Sequence, residues 1–335
     1  ITYNGPAEGH ALYIYNGSVT LNNVLIDSNN HSSGYAVFIY LDNPSYSSNI
    51  VLNHVTIINN QYSTNDNSGS MWIGNYGNMD VEINNSIFFN NSGSALYTSH
   101  NTYGNPVTLD LLITSSTFAG NSGQGAISPN YTEKASVMFL NHNPIIINSI
   151  FKGDLLTNNK ALYLGGSDPV FLNCNIQPFI LLENSSNNWV KTTTFLGSPY
   201  FNSLHSSNIF TDPIFVNESS FNFRLDNYSS CIGAGLDTSI TLLTDLDGNS
   251  RPNPTGSNPD MGAYENLLAT PLIYGCIDSL AYNYDSTADT DDGSCLYCNL
   301  SSSTFVVDES AIGAFDGKAN LSVIGSDCSS DTTYL

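Results

Sequence analysis

The chain has 335 residues and a formal net charge of −22, with 7 Lys and Arg residues against 29 Asp and Glu residues. So few basic groups exclude a nucleic-acid-binding protein and disfavour docking on an anionic membrane surface, because phosphates would stay unneutralised. With 41% apolar residues, 20 Tyr and 16 Phe, the chain is too apolar for a disordered acidic tail. Its 45 Asn and 45 Ser residues and its few helix-favouring stretches predict an acidic all-β globular protein.

The two ends and the longest apolar runs bear on targeting. The chain begins at Ile1 without a signal segment, which we interpret as a piece of a longer protein whose neighbouring domains are its first partners. No apolar run approaches the roughly 20 residues of a membrane helix, so we expect no membrane insertion.

Short blocks recur along the first half of the chain. Each centres on one apolar residue, at steps of 31, 31, 30, 33 and 25: Ile26, Ile57, Phe88, Phe118, Phe151 and Ile176. Most blocks are followed by an asparagine: Asn29, Asn60, Asn91 and Asn121. Alternating runs and a second apolar block complete each repeat, which therefore offers about three short strands.

Three strands per repeat predict a right-handed parallel β-helix over residues 1–266, with a β-sandwich as the competing fold. Coils would stack at about 4.8 Å, so the six apolar block residues would form one inward ladder. Asparagine at a fixed turn position tolerates left-handed backbone geometry and can bond to the asparagines above and below it.

The sequence pattern of the chain changes after about residue 205. The segments TDPIFVNESSFNFRLDNYSSCIGAG (211–235) and TDLDGNSRPNPTGSNPDMGAYE (244–265) closely resemble the closing section of secreted bacterial β-helix surface proteins. We expect residues 205–266 to form a capping coil that blocks end-to-end stacking. Arg251 is expected to pin this coil by pairing with Asp245, Asp247 or Asp260.

Two small modules follow. The segment YGCIDSLAYNYDSTADTDDGSC (274–295), within residues 267–297, resembles a Cys-bracketed acidic module of large extracellular proteins of marine bacteria and of some phage structural proteins. Residues 298–335 resemble the start of a gliding-adhesin repeat, an Ig-like β-rich unit of Bacteroidetes-type cell-surface proteins, here truncated.

Six cysteines in so polar a chain indicate an oxidising compartment. We predict small disulfide-stapled modules, with Cys276 bridged to Cys295 and Cys298 to Cys328. Cys174 and Cys231 fall on β-helix coils, where a bridge and two buried thiols are both open alternatives.

Four carboxylates precede Gly293 in the acidic module: Asp285, Asp289, Asp291 and Asp292. Carboxylates before a glycine turn can hold a hard cation, so Ca²⁺ is a candidate ligand here. The match to an EF-hand is poor, and a solvated acidic loop is the alternative.

Catalysis needs a constellation that the sequence does not offer. A polysaccharide lyase needs a base against its substrate's carboxylate, yet Arg224 and Arg251 both belong to the closing section and the lysines share no ladder position. The six histidines recur at no metal-ligand spacing. We therefore expect no enzyme and no catalytic residue.

These observations favour a non-catalytic, extracellular structural or adhesive segment of a large cell-surface or filament protein. It would space or present binding surfaces for glycans or for other surface proteins, and a homopolymeric filament is also considered. The first alternative is a polysaccharide-active β-helix lyase or hydrolase. The second is a phage tail-fibre component.

Overall fold

The computed structural model describes residues 10–31, 34–62, 69–100, 107–122, 135–140, 142–153, 160–165, 169–177, 180–183, 189–192, 207–238, 242–297 and 299–326. The chain divides into two compact units, residues 1–271 and residues 272–335.

The first unit is built from three sheets that run side by side. Sheet I contains, in spatial order, β1 (Leu12–Tyr15), β5 (Tyr35–Leu41), β9 (Gly69–Asn75), β12 (Ser94–His100), β15 (Ala135–Leu140), β18 (Lys160–Gly165), β21 (Ile180–Glu183) and β22 (Trp189–Thr192). Sheet II contains β2 (Val19–Asn22), β6 (Ser47–Asn53), β10 (Asn78–Asn84), β13 (Leu109–Thr114), β16 (Ile145–Ile147) and β19 (Val170–Leu172). Sheet III contains β3 (Leu25–Asp27), β7 (Thr56–Ile58), β11 (Ile87–Phe89), β14 (Thr117–Ala119), β17 (Ile150–Lys152) and β20 (Asn175–Gln177).

The strand order confirms the prediction of an all-β parallel β-helix. Successive coils add one strand to each sheet, and neighbouring strands are parallel except for the antiparallel pair β21–β22. A short parallel pair, β4 (Asn30–His31) with β8 (Gln61–Tyr62), extends the first coils.

The inward side chains of sheet III form one continuous ladder. The strand register pairs Ile26 with Ile57. The same register then pairs each apolar block residue with the next one along the sheet: Ile57, Phe88, Phe118, Phe151 and Ile176. All six are at most 2% exposed. The rings of Phe88 and Phe118 stack at 4.6 Å, and those of Phe118 and Phe151 at 4.9 Å with planes 2° apart. Such stacked aromatic pairs add to the free energy gained from burial.

The sequence predicts that one asparagine per coil provides both the left-handed turn geometry and the hydrogen-bond ladder. In the structure two adjacent positions divide these roles. The first position has a positive φ in the first four coils: Ser28, Asn59, Asn90 and Gly120. The second position forms a buried amide ladder: Asn29, Asn60, Asn91 and Asn121. Along this ladder each Nδ2 donates to the next Oδ1 at 2.9 Å. The turn geometry and the hydrogen-bond ladder are therefore carried by neighbouring residues.

The closing section lies along the side of sheet III. Residue Ile209 pairs with Asn175 and so continues the sheet, after which come β23 (Phe215–Asn217), a 3-10 turn (Glu218–Ser220) and β24 (Asn222–Leu225). Their apolar side chains pack against outward residues of sheet III in a second core: Ile87, Phe89, Ala119, Ile150, Phe215, Phe223, Leu225, Cys231, Ile232 and Met261. From the sequence we expect a coil that only closes the end of the β-helix, and this expectation does not include the lateral packing. The packing occurs because strands such as β11 are apolar on both faces.

Arg251 does not pair with any of the three acids expected. Its Nη1 lies 2.8 Å from a carboxylate oxygen of Glu265, with both side chains fully buried. Its guanidinium also donates to the carbonyls of Asp260 and Gly262. Asp245 and Asp260 are buried but accept backbone N–H groups, and Asp247 pairs with Arg224. Glu265 was missed because spacing along a loop does not determine which carboxylate reaches the guanidinium.

The second unit contains two small strand pairs and a disulfide. Strands β25 (Tyr274–Gly275) and β26 (Thr290–Asp291) are parallel, and β27 (Asn299–Val307) and β28 (Lys318–Ser326) form an antiparallel hairpin. Cys276 and Cys295 are bridged at 2.04 Å. The predicted Cys298–Cys328 bridge lies outside the described residues.

Cys174 and Cys231 are free and buried, which decides between the two alternatives for them. Burial raises the pKa of each thiol to about 12, so both are protonated and unreactive at neutral pH. In the described part of the chain, no helix is long and apolar enough to cross a membrane.

Candidate functional site

The three sheets of the β-helix have outer faces of different chemistry. The closing section covers the outer face of sheet III from β7 to β17, while Leu25 on β3 is 42% exposed. The outer face of sheet I carries aromatic rings, and that of sheet II carries carboxylates. A ligand or partner therefore has two chemically distinct faces to meet.

Six aromatic residues on the outer face of sheet I form what we call the aromatic strip: Tyr13, Tyr15, Phe38, Tyr40, Trp72 and Tyr97. One column follows the strand register from Tyr13 through Phe38 and Trp72 to Tyr97, with ring centroids 5.3, 4.4 and 6.4 Å apart. A second column pairs Tyr15 with Tyr40 at 6.1 Å. Tyr13 is 54% exposed and Tyr15 47%, so the strip is open to solvent at its first strand.

Gly74 allows Trp72 to join the two columns. It occupies the position next to Tyr40 in the second column, where a Cβ atom would lie 2.5 Å from Cζ2 of Trp72. Because this position has no side chain, the indole extends over it and its centroid lies 5.4 Å from that of Tyr40. A larger residue at position 74 would displace the indole.

Polar groups border the aromatic strip. The hydroxyl of Tyr15 donates to the carboxylate of Asp42, which also accepts from Nδ2 of Asn16 at 2.6 Å. Burial is the main cause that raises the pKa of Tyr40, and its hydrogen bond with Tyr76 adds to the effect. The surface therefore combines apolar rings with hydroxyl, amide and carboxylate groups.

A groove of about 270 Å³ lies on the outer face of sheet II, and we call it the acidic groove. Its polar lining includes Asp80, Glu82 and Asp110, all exposed. Asp80 and Asp110 are directly paired on neighbouring strands, so their like charges face one another across about one strand spacing. The expected signature of a polysaccharide-active enzyme, clustered carboxylates in a groove, is thus present in part.

Three basic side chains considered for catalysis have partners in the closing section. Arg224 makes a two-point contact with the carboxylate of Asp247 at 2.8 and 2.7 Å. Lys152 contacts the carboxylates of Glu218 and, at 3.1 Å, of Asp212. Together with Arg251, they fix the closing section against itself and against sheet III.

The four aspartates proposed for Ca²⁺ do not converge on one point. Each accepts hydrogen bonds within its own turn, for example Asp285 from Thr287 and Asp292 from Ser294. These bonds to backbone and hydroxyl donors lower the pKa of Asp285 and Asp292. Among the residues that the structure describes, no group of three or more His, Cys, Asp or Glu side chains is placed to hold a metal ion. These hydrogen bonds favour the alternative of a solvated loop, and the Ca²⁺ site stays a prediction.

Sequence reasoning missed the aromatic strip, although a signal for it was present. The blocks that begin each sheet I strand place aromatics at alternate positions, as in Tyr13 and Tyr15 or Phe38 and Tyr40. Because alternate residues of a strand share one face, and the aliphatic residues between them are the inward ones, the rings had to point outward.

Three comparisons with known proteins returned nothing: no protein-family model, no curated protein and no solved structure matches the chain.

Proposed function

We propose that the chain is a non-catalytic, extracellular segment of a large bacterial cell-surface protein, in which the β-helix spaces and presents a binding surface. The observation that carries the proposal is the aromatic strip, half exposed at its first strand, on a scaffold of in-register coils. Exposed aromatic surface of this extent on a rigid sheet is characteristic of an interaction site.

The rigidity of the scaffold supports a presenting role. The buried amide ladder and the stacked phenylalanines hold each coil in register with the next. The closing section adds a second apolar core along one side. Side chains on such strands keep fixed spacings, which a binding surface needs.

The location outside the cell is supported by the Cys276–Cys295 disulfide, since such bridges persist in oxidising compartments. The resemblance of the closing section to secreted bacterial β-helix proteins, and of residues 298–335 to gliding-adhesin repeats, points in the same direction.

The acidic groove supports a second candidate function, polysaccharide hydrolysis. Two carboxylates on either side of a glycosidic bond are the usual catalytic pair, and their separation determines the stereochemical outcome. Asp80 and Asp110 are close enough for such a pair. Both are exposed, however, which is unlike the desolvated general acid that this chemistry uses.

The test is to incubate the chain with a panel of neutral and acidic polysaccharides and to measure new reducing ends and unsaturated products. The proposal predicts no release above that of heat-denatured chain. Release that disappears in the Asp110→Asn variant would overturn it in favour of the hydrolase.

A further inference from the structure

We infer that the aromatic strip binds a neutral, hydroxyl-rich polysaccharide lying along the axis of the β-helix; the inference rests on the proposed function and names the ligand class of its surface.

The first step is that the strip is open to solvent at its first strand, whereas the outward apolar side chains of sheet III are covered from β11 to β17. On sheet III, outward residues such as Phe89 and Ile150 are buried by the closing section. On sheet I, Tyr13 and Tyr15 remain about half exposed. Since exposure of aromatic rings to water is unfavourable, a partner gains free energy by covering them.

The second step concerns the chemistry of that partner. A purely apolar partner would bury the hydroxyls and the Asp42 carboxylate at the edge of the strip without replacing their contacts with water. A sugar polymer has C–H groups that pack against the exposed edges of the stacked rings, and hydroxyls that bond with the Tyr15, Asp42 and Asn16 groups. The mixture of rings and polar groups therefore fits a polysaccharide.

The third step is charge. The chain carries a net charge of −22, and the six residues of the strip are all uncharged. An acidic polysaccharide would be repelled over the whole surface, and so would a second copy of the chain. A neutral polymer experiences no such electrostatic repulsion.

The fourth step is periodicity. The column from Tyr13 to Tyr97 repeats similar ring chemistry on four successive strands, at the strand spacing of about 4.8 Å. A ligand that repeats along one direction can use several rungs at once, and each rung increases the effective concentration of its neighbours. A linear polymer thus gains more from this surface than a single sugar does.

The experiment is native affinity electrophoresis of the 335-residue chain in gels that contain hydroxyethyl cellulose, xyloglucan, galactomannan or a soluble β-1,3-glucan, with alginate as the acidic comparison. We expect retardation by at least one neutral polymer and none by alginate. The double variant Tyr13→Thr/Phe38→Thr keeps β-favouring residues in the strands and should weaken binding about tenfold. The control Phe305→Thr removes a ring that is 66% exposed on strand β27 of the second unit, and it should leave the retardation unchanged.

Circular dichroism and the melting temperature of the double variant establish that it is folded, and Tyr13→Thr alone serves if it is not. Absence of retardation in all four neutral gels, or equal retardation of the wild type and the variant, overturns the inference. So does equal retardation by alginate, or a dimer in sedimentation experiments that the double variant abolishes. The gel experiment measures binding and not cleavage. A negative result therefore overturns the inference without bearing on the non-catalytic function, which the reducing-end assay tests.

Discussion

The buried amide ladder makes a sharp prediction about Asn91. This side chain is 1% exposed, and its Oδ1 accepts from the backbone N–H and the Nδ2 of Asn60 at 3.0 and 2.9 Å. Its Nδ2 donates to the carbonyl of Ile57 and to Oδ1 of Asn121, both at 2.9 Å. Asn91→Ala removes all four bonds.

The cost follows from which groups find another partner. Nδ2 of Asn60 keeps its bond to the Ile26 carbonyl, and Oδ1 of Asn121 keeps the backbone N–H of residue 91. The backbone N–H of Asn60 is left in a buried site, at about 1–3 kcal/mol, and the other lost bonds add about 1 kcal/mol each. We expect Asn91→Ala to lower the free energy of unfolding by roughly 4–6 kcal/mol.

The matched control is its neighbour Asn90, whose exposed Nδ2 donates one bond to Asn59. Asn90→Ala loses that bond and places alanine at a φ of 50°, at a cost of about 1–2 kcal/mol. Urea unfolding followed by circular dichroism compares the two variants. Equal losses for Asn90→Ala and Asn91→Ala, or a loss below about 1 kcal/mol for Asn91→Ala, would refute the ladder as a source of stability.

Three further predictions concern the core, the closing section and the second unit. Phe118→Ala should lower the free energy of unfolding by roughly 3–5 kcal/mol in the same urea assay, because it empties a site between two stacked rings; a loss below about 1 kcal/mol would contradict the ladder. Burial raises the pKa of Asp260 to about 7, so the folded chain holds a proton that the unfolded chain has released. Stability from this group should therefore fall as pH rises from about 4, near the unfolded pKa, to about 7, near the folded pKa, by at most about 4 kcal/mol in total, and calorimetry of Asp260→Asn should show a flatter dependence. Reductant should increase proteolysis between Cys276 and Cys295, since a bridge across a loop of this size contributes about 3 kcal/mol, whereas a chelator should not; protection that a chelator removes would restore the metal hypothesis.

The repeat allowed much of the fold to be predicted. Similar steps between apolar block residues are enough to place Ile26 beside Ile57 and Phe88 beside Phe118, because a stacked coil has only one register that buries them all. The position of the closing section could not be predicted in this way. Its contacts, such as the amide of Gly262 with the carbonyl of Asn148 at 2.7 Å, join residues far apart in sequence and outside the repeat.

The candidate site was harder to predict, for a different physical reason. Sequence motifs for catalytic and metal sites consist of carboxylates, histidines and cysteines. The aromatic strip instead consists of residues that usually belong to a core. The four aspartates proposed for Ca²⁺ each accept hydrogen bonds from nearby donors, as Asp289 does from the amide of Ile273, and the Ca²⁺ hypothesis stays a prediction that the chelator assay tests. The sequence shows which carboxylates are present in the loop, but it does not determine the direction in which their oxygens point.

Hydroxyl-radical footprinting with mass spectrometry tests the central claim most directly, because it reports the solvent accessibility of individual side chains. The measurement compares the chain alone with the chain in the neutral polysaccharide that retards it most. We predict reduced oxidation of Tyr13, Tyr15 and Trp72, with Phe315 unchanged. Unchanged oxidation of the strip, with protection of Ile145 in the acidic groove, would contradict the account.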